Sequence, residues 1–244
     1  MDDEIPSPPR PEPAPPLRRW GLLATLGFST LAVVVYTLVQ NAALALSPTL
    51  AAPENYGLSI TFPTLVSVPV GILLVLGLVR LRRGLPVRNY LGLSLPTLGQ
   101  ALGALAPLAA IQLVYDQLSQ FLYRPLVPDF LLNAYRTAHG LPALYLAMVV
   151  AGPAFEELLF RGFLLPGLTP ALGGTVATLL SALVFGLLHA QYDPLDMSFV
   201  FLLGLLLAGV RLKTGSTLLS FGLHALTNLI ALAEAAWLIS RTGG

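Results

Sequence analysis

Residues 141–165 read LPALYLAMVVAGPAFEELLFRGFLL, and this stretch decides the fold. It is apolar and long enough to cross a bilayer as a helix, yet it carries Glu156, Glu157 and Arg161. About 20 apolar residues span the hydrocarbon core, where every backbone N–H and C=O must be satisfied within the segment. An ionisable side chain there costs roughly 2.5 to 3.5 kcal/mol even on insertion scales, so each of the three is a functional candidate by default. Glu157 and Arg161 stand four residues apart, on one face of a helix, where the pair can neutralise itself. Glu156 projects about 100° away and lacks such a partner on its own helix. One glutamate can then be structural while its neighbour is free to act as a base. The plainer alternative is a helix end that reaches water and solvates all three charges.

The rest of the chain has the same character. Apolar residues make up 55% and charged residues 10%, against about 25% charged in an ordinary soluble domain. Mean hydropathy is +0.77. Thirteen Lys plus Arg balance twelve Asp plus Glu, so charge points to no acidic partner, and no basic cluster with interleaved aromatics suggests nucleic acid. The chain has no cysteine, which removes disulfides, thiol nucleophiles and Cys-based zinc sites together. Chemistry must come from carboxylates, histidines, hydroxyls or amides.

These features predict an all-α fold, a polytopic bundle of about seven transmembrane helices near 21–45, 60–80, 98–116, 141–165, 171–190, 197–211 and 217–239. Residues 1–20 are Pro-rich and charged and read as a disordered cytoplasmic tail, not a cleaved signal. Residues 21–140 read as N-terminal transmembrane helices with a long external loop from Asp116 to Gly140, and 141–240 as a catalytic membrane domain. The mixed segment from Arg88 to Pro96 reads as interfacial. Cytoplasmic loops carry the excess of Lys and Arg. A cytoplasmic N-terminus puts Arg10, Arg18, Arg19, Arg80, Arg82, Arg83, Arg88, Arg211 and Lys213 inside and only Arg124, Arg136 and Arg241 outside.

Two further elements follow the glutamates. In FGLLH, Phe185 and His189 are one turn apart near the end of the fifth helix; in HALTN, His224 and Asn228 share a face of the last. Alone, each has a plain explanation: an interfacial histidine, or a polar pair holding helices together. Together, a carboxylate, two imidazoles and an amide suffice for hydrolysis: a base for water, an acid for the leaving amine and donors for the oxyanion. His139 in the loop and Glu234 near the outer end of the last helix lack such company and are set aside. There is no HExxH, no GxSxG and no GxGD, so zincin-like, simple serine and aspartyl intramembrane chemistries find no support. A proton-coupled or ion-coupled transporter also places carboxylates and histidines in a membrane, but would more often show inverted repeats, and none is visible. A third alternative is a catalytically idle immunity or scaffold protein.

The order EELLFR, FGLLH, HALTN resembles the three motifs of the CAAX prenyl protease and bacteriocin-processing (Abi) family over roughly residues 141–235. The pattern falls on Glu156, Glu157, Arg161, Phe185, His189, His224 and Asn228, with no motif position departing. The resemblance implies an intramembrane endopeptidase acting on a membrane-associated protein or peptide; eukaryotic members remove three residues from prenylated CaaX proteins. A bacterial plasma (inner) membrane is the expected location. The cofactor stays open: His189, His224 and a glutamate form a legitimate His₂Glu zinc set. Asn228 is no usual zinc ligand and suits an oxyanion, so the reading leans to water activated by Glu156 with His189, with His224 and Asn228 facing the oxyanion. One tension stands: Glu156 lies about 22 Å down its helix from Leu141, whereas His189 is near an outer helix end.

Overall fold

The computed structural model describes residues 19–82 and 84–242. The expected tail lies outside the described residues apart from Arg19 and Trp20, as do Arg10, Arg18 and Arg83. Among the described residues every regular element is helical. They are α1 (Leu22–Ala45), α2 (Tyr56–Leu81), α3 (Val87–Leu91), α4 (Leu98–Phe121), α5 (Asp129–Arg136), α6 (Leu141–Tyr145), α7 (Gly152–Glu157), α8 (Leu165–Leu187), α9 (Pro194–Thr214) and α10 (Thr217–Thr242). Two π-helical segments, Leu146–Ala151 and Leu158–Leu164, join α6 to α7 and α7 to α8.

Six helical runs among the described residues are long and apolar enough to cross a membrane, and the run Leu141–Leu187 counts 47 residues. At 1.5 Å per residue that run is about 70 Å long, twice the hydrocarbon core, so it must fold back. It does so at Gly173, where φ 74 and ψ 162 break the helix. The expected fourth and fifth helices are thus two helices that meet at the Gly173 break, and the bundle has the predicted all-α, polytopic form.

The ends of the helices group as the arginine pattern requires. At one end Trp20 Nε1 donates to Leu78 O (3.0 Å), Arg19 Nη1 to Tyr90 O (2.6 Å) and Thr217 Oγ1 to Leu91 O (2.6 Å). Those bonds tie the start of α1, the end of α2, α3 and the start of α10 together. At the other end Gly57 N donates to Thr137 Oγ1 (2.8 Å), and Arg124 pairs with Asp193 and Asp196 at the start of α9.

One expectation needs correction. The loop begins later than Asp116, because α4 runs on to Phe121, and it is not wholly irregular. Within it α5 buries Leu131 and Ala134 beside Leu144 and Leu232, an amphipathic helix packed on the bundle. The segment from Arg88 to Pro96, expected at the interface, packs inward from one end of the bundle: Tyr90 and Leu91 are fully buried, Tyr90 stacking on Phe163 (5.8 Å between centroids).

The π segments have a chemical cause. Gly152 N donates to Ala147 O, five residues back, so the next carbonyl, Met148 O, falls to the N–H of residue 153. That residue is proline and has no N–H. Asn228 Nδ2 of α10 supplies the missing donor at 2.8 Å. The second segment repeats the arrangement. Leu165 N donates to Phe160 O, the next donor would be Pro166, and the orphaned Arg161 O accepts instead from Arg211 Nε of α9 (3.1 Å). Two prolines thus open the backbone on either side of Glu156 and Glu157, and two side chains from other helices close it. π turns of this kind recur at functional sites because they re-aim side chains.

Candidate active site

Glu157 and Arg161 are completely buried. Arg161 Nη1 donates to Glu157 Oε1 at 2.9 Å and Nη2 to Gly204 O at 3.1 Å, while the guanidinium lies 4.5 Å from the Phe185 ring centroid. A charge pair this deep is tolerable because each member is hydrogen-bonded and the cation also meets a π face. The same Glu157 Oε1 lies 3.0 Å from His224 Nδ1, accepting its proton. That bond leaves Nε2 of His224 facing Glu156 Oε2 at 3.7 Å, as a lone pair in the neutral ring and as an N–H in the imidazolium. Arg161, Glu157 and His224 therefore form a chain that ends at Glu156.

Glu156, partnerless on its own helix, thus has an imidazole from α10 beside it, and its side chain keeps 28% of its exposure. The exposed carboxylate opens into a cavity of about 540 Å³. His189, His224 and Asn228 line the same cavity, so the structure brings the three motifs together although they come from either side of the Gly173 break and from α10. His189 lies in the turn just past α8, and its Nδ1 donates to Phe185 O (2.7 Å), which leaves Nε2 free as an acceptor. Phe185 bridges the two histidines, with centroids 4.8 Å from His189 and 5.7 Å from His224. Glu156 and His189, which the sequence placed at different distances along their helices, line one cavity. Asn228 has one amide hydrogen committed to Met148 O.

The cavity also has a wall that motif reading did not anticipate, contributed by helices without motifs. Tyr36 of α1 stacks on Phe155, the residue before Glu156, at 4.4 Å and 13°. Phe155 fits there because Gly71 of α2 leaves its ring room: a Cβ at Gly71 would stand 2.5 Å from it. Tyr192 stacks on His189 (6.0 Å), and burial, with the Glu156 charge adding to it, pushes its phenol well up. Glu234, set aside for want of company in the sequence, lines the cavity too. A sequence signal existed for Tyr36, which shares a face with Gln40 one turn on and accepts its amide at 3.0 Å. His139 is remote, bonded to Asn55 Oδ1 in the outer loops.

A zinc ion would need three donors converging on one point. Among the described residues no three His, Asp or Glu side chains converge on one point, so His189, His224 and a glutamate as placed do not form the His₂Glu set.

Residues 138–230 match the family model described as type II CAAX prenyl endopeptidase Rce1-like. The segment with the three motifs is Rce1-like. This is the family that those motifs resemble, and the match begins just before α6 and ends within α10, so it encloses Glu156, Glu157, Arg161, His189, His224 and Asn228. Searches of curated proteins and of solved structures returned no match. With six helical runs among the described residues long and apolar enough to cross a membrane, this is an integral membrane protein that carries a segment similar to that family.

Proposed function

We propose that the chain hydrolyses a peptide bond within the membrane using water activated by Glu156. The observation that carries this reading is the division between two adjacent carboxylates. Glu157 is buried, tied to Arg161 and His224, whereas Glu156 faces the cavity. Glu156 takes a proton from water held between it and Nε2 of His189. The hydroxide attacks the scissile carbonyl, and the oxyanion meets the imidazolium form of His224 and the remaining amide hydrogen of Asn228. Glu156 then passes the proton to the leaving amine. General-base assistance of this kind contributes about 10² to 10⁴-fold, and preorganised donors in a water-poor site add to it. The substrate class that fits is a membrane-associated protein or peptide, since aromatic and aliphatic side chains from α1, α2 and α8 wall the cavity. A zinc-assisted variant would recruit His189, His224 and Glu156, which would have to move together first.

The test compares two variants on a substrate found as a new peptide terminus in membranes with and without the protein. Glu156→Gln keeps shape and removes the base, so turnover should fall at least about 10²-fold while melting in detergent stays near wild type. Full turnover by Glu156→Gln would overturn the assignment and favour a transporter or scaffold role.

A further inference from the structure

A second cavity, of about 740 Å³, lies at the end of the bundle where α1 begins and α9 finishes. Three arginines line it: Arg19 before α1, Arg82 after α2 and Arg211 at the end of α9. No ion pair among the described residues includes any of them. Their bonds go to neutral groups. Arg19 Nη1 donates to Tyr90 O, Arg82 Nε to Arg19 O, and Arg211 Nε to Arg161 O, while Arg19 lies over Tyr90 and Arg82 over Trp20. The terminal nitrogens of Arg211 form no hydrogen bond among the described residues. Beside the three cations the wall is mostly apolar, with Leu22, Leu165, Pro166 and Leu212, and the Thr169 hydroxyl there donates to Leu165 O. Burial holds the Arg19 guanidinium below its ordinary value, the direction expected of a cation in want of a counter-charge.

We propose that this groove binds a phosphate-bearing anion, the headgroup of an anionic phospholipid, with the leucine wall taking the first part of an acyl chain. Guanidinium groups match phosphate oxygens in a bidentate way, and basic pockets between transmembrane helices hold anionic headgroups at this level of the bilayer. Trp20 beside Arg19 is the aromatic anchor of that level. The groove touches Arg211, whose Nε closes the π segment that contains Arg161, so its occupant also braces the backbone behind the Glu157 pair.

The test is thermal unfolding of the full chain in detergent with added phosphatidylglycerol, phosphatidylcholine or inorganic phosphate. Phosphatidylglycerol should raise Tm, on the order of 5 °C at a hundredfold excess over its Kd, and phosphatidylcholine should not. Arg82→Gln should weaken the binding isotherm and Arg19→Gln with Arg82→Gln should abolish the shift. Arg88→Gln, exposed at the same end but outside the groove, should leave it intact. An equal shift from inorganic phosphate, lost in the same double variant, would keep the phosphate site and assign it to a free anion. The proposal is overturned if phosphatidylcholine stabilises equally, if the shift survives the double variant, or if Arg88→Gln removes as much of it. Arg82→Gln alone decides the matter should the double variant not fold.

Discussion

In the proposed mechanism Asn228 divides two duties. Its Nδ2 serves Met148 O because Pro153 cannot, and an unsatisfied buried carbonyl costs roughly 1 to 3 kcal/mol. Asn228→Ala should therefore lower stability in detergent by about that amount as well as lower turnover. In a Pro153→Ala background residue 153 regains an N–H in π register with Met148, so the stability loss should shrink while the loss of turnover persists. A double-mutant cycle of melting curves measures this, and strict additivity would refute the shared carbonyl. Glu157 is a different case. Glu157→Gln leaves the Arg161 cation without a counter-charge and should cost roughly 3 to 5 kcal/mol of stability, with turnover falling as His224 loses its anchor. A variant that melts like wild type would place the pair in water instead. For the metal question, activity that survives exhaustive chelation is expected. Stoichiometric zinc lost in both His189→Ala and His224→Ala would move the mechanism to a metalloprotease.

At the level of elements, the long run from Leu141 to Leu187 depends on its one non-helical residue. Gly173, at φ 74 and ψ 162, occupies a region that is essentially glycine's alone, and forcing a Cβ into it costs roughly 1 to 3 kcal/mol. Gly173→Ala should therefore lower the melting temperature. Gly174→Ala, whose Cβ would meet only Leu212 Cδ1 at an ordinary 3.4 Å, should be close to neutral. Equal effects in the two would show that the turn is set elsewhere. The spans themselves were legible, since their length and apolarity answer to the bilayer. The π segments were not. GP at 152–153 and LP at 165–166 are visible in the sequence, but a proline in a helix usually means a kink at that point. Here the backbone stays helical in a wider register, because Asn228 and Arg211 reach it from α10 and α9.

For the whole molecule, the arginine pattern makes a testable map. Among the described residues Arg19, Arg80, Arg82, Arg88, Arg211 and Lys213 gather at one end, and Arg124, Arg136 and Arg241 at the other. The first end should be cytoplasmic. With no native cysteine to interfere, Asn133→Cys should react with an impermeant thiol reagent in intact cells and Lys213→Cys should not. The reverse labelling would invert the topology. The sequence by itself determined that the chain is a membrane bundle, that Glu157 pairs with Arg161, and which residues are candidates for chemistry. Each of these follows from bilayer thickness, the cost of buried charge or the fixed i, i+4 geometry of one helix. The tertiary structure alone decided that Glu157 also holds His224, 67 residues away, that Met148 and Asn228 meet across 80, and that α1 walls the cavity through Tyr36. Those meetings depend on how helices are turned against one another. In this chain a glycine turn and two proline-opened segments set that rotation, and helical periodicity carries no record of it.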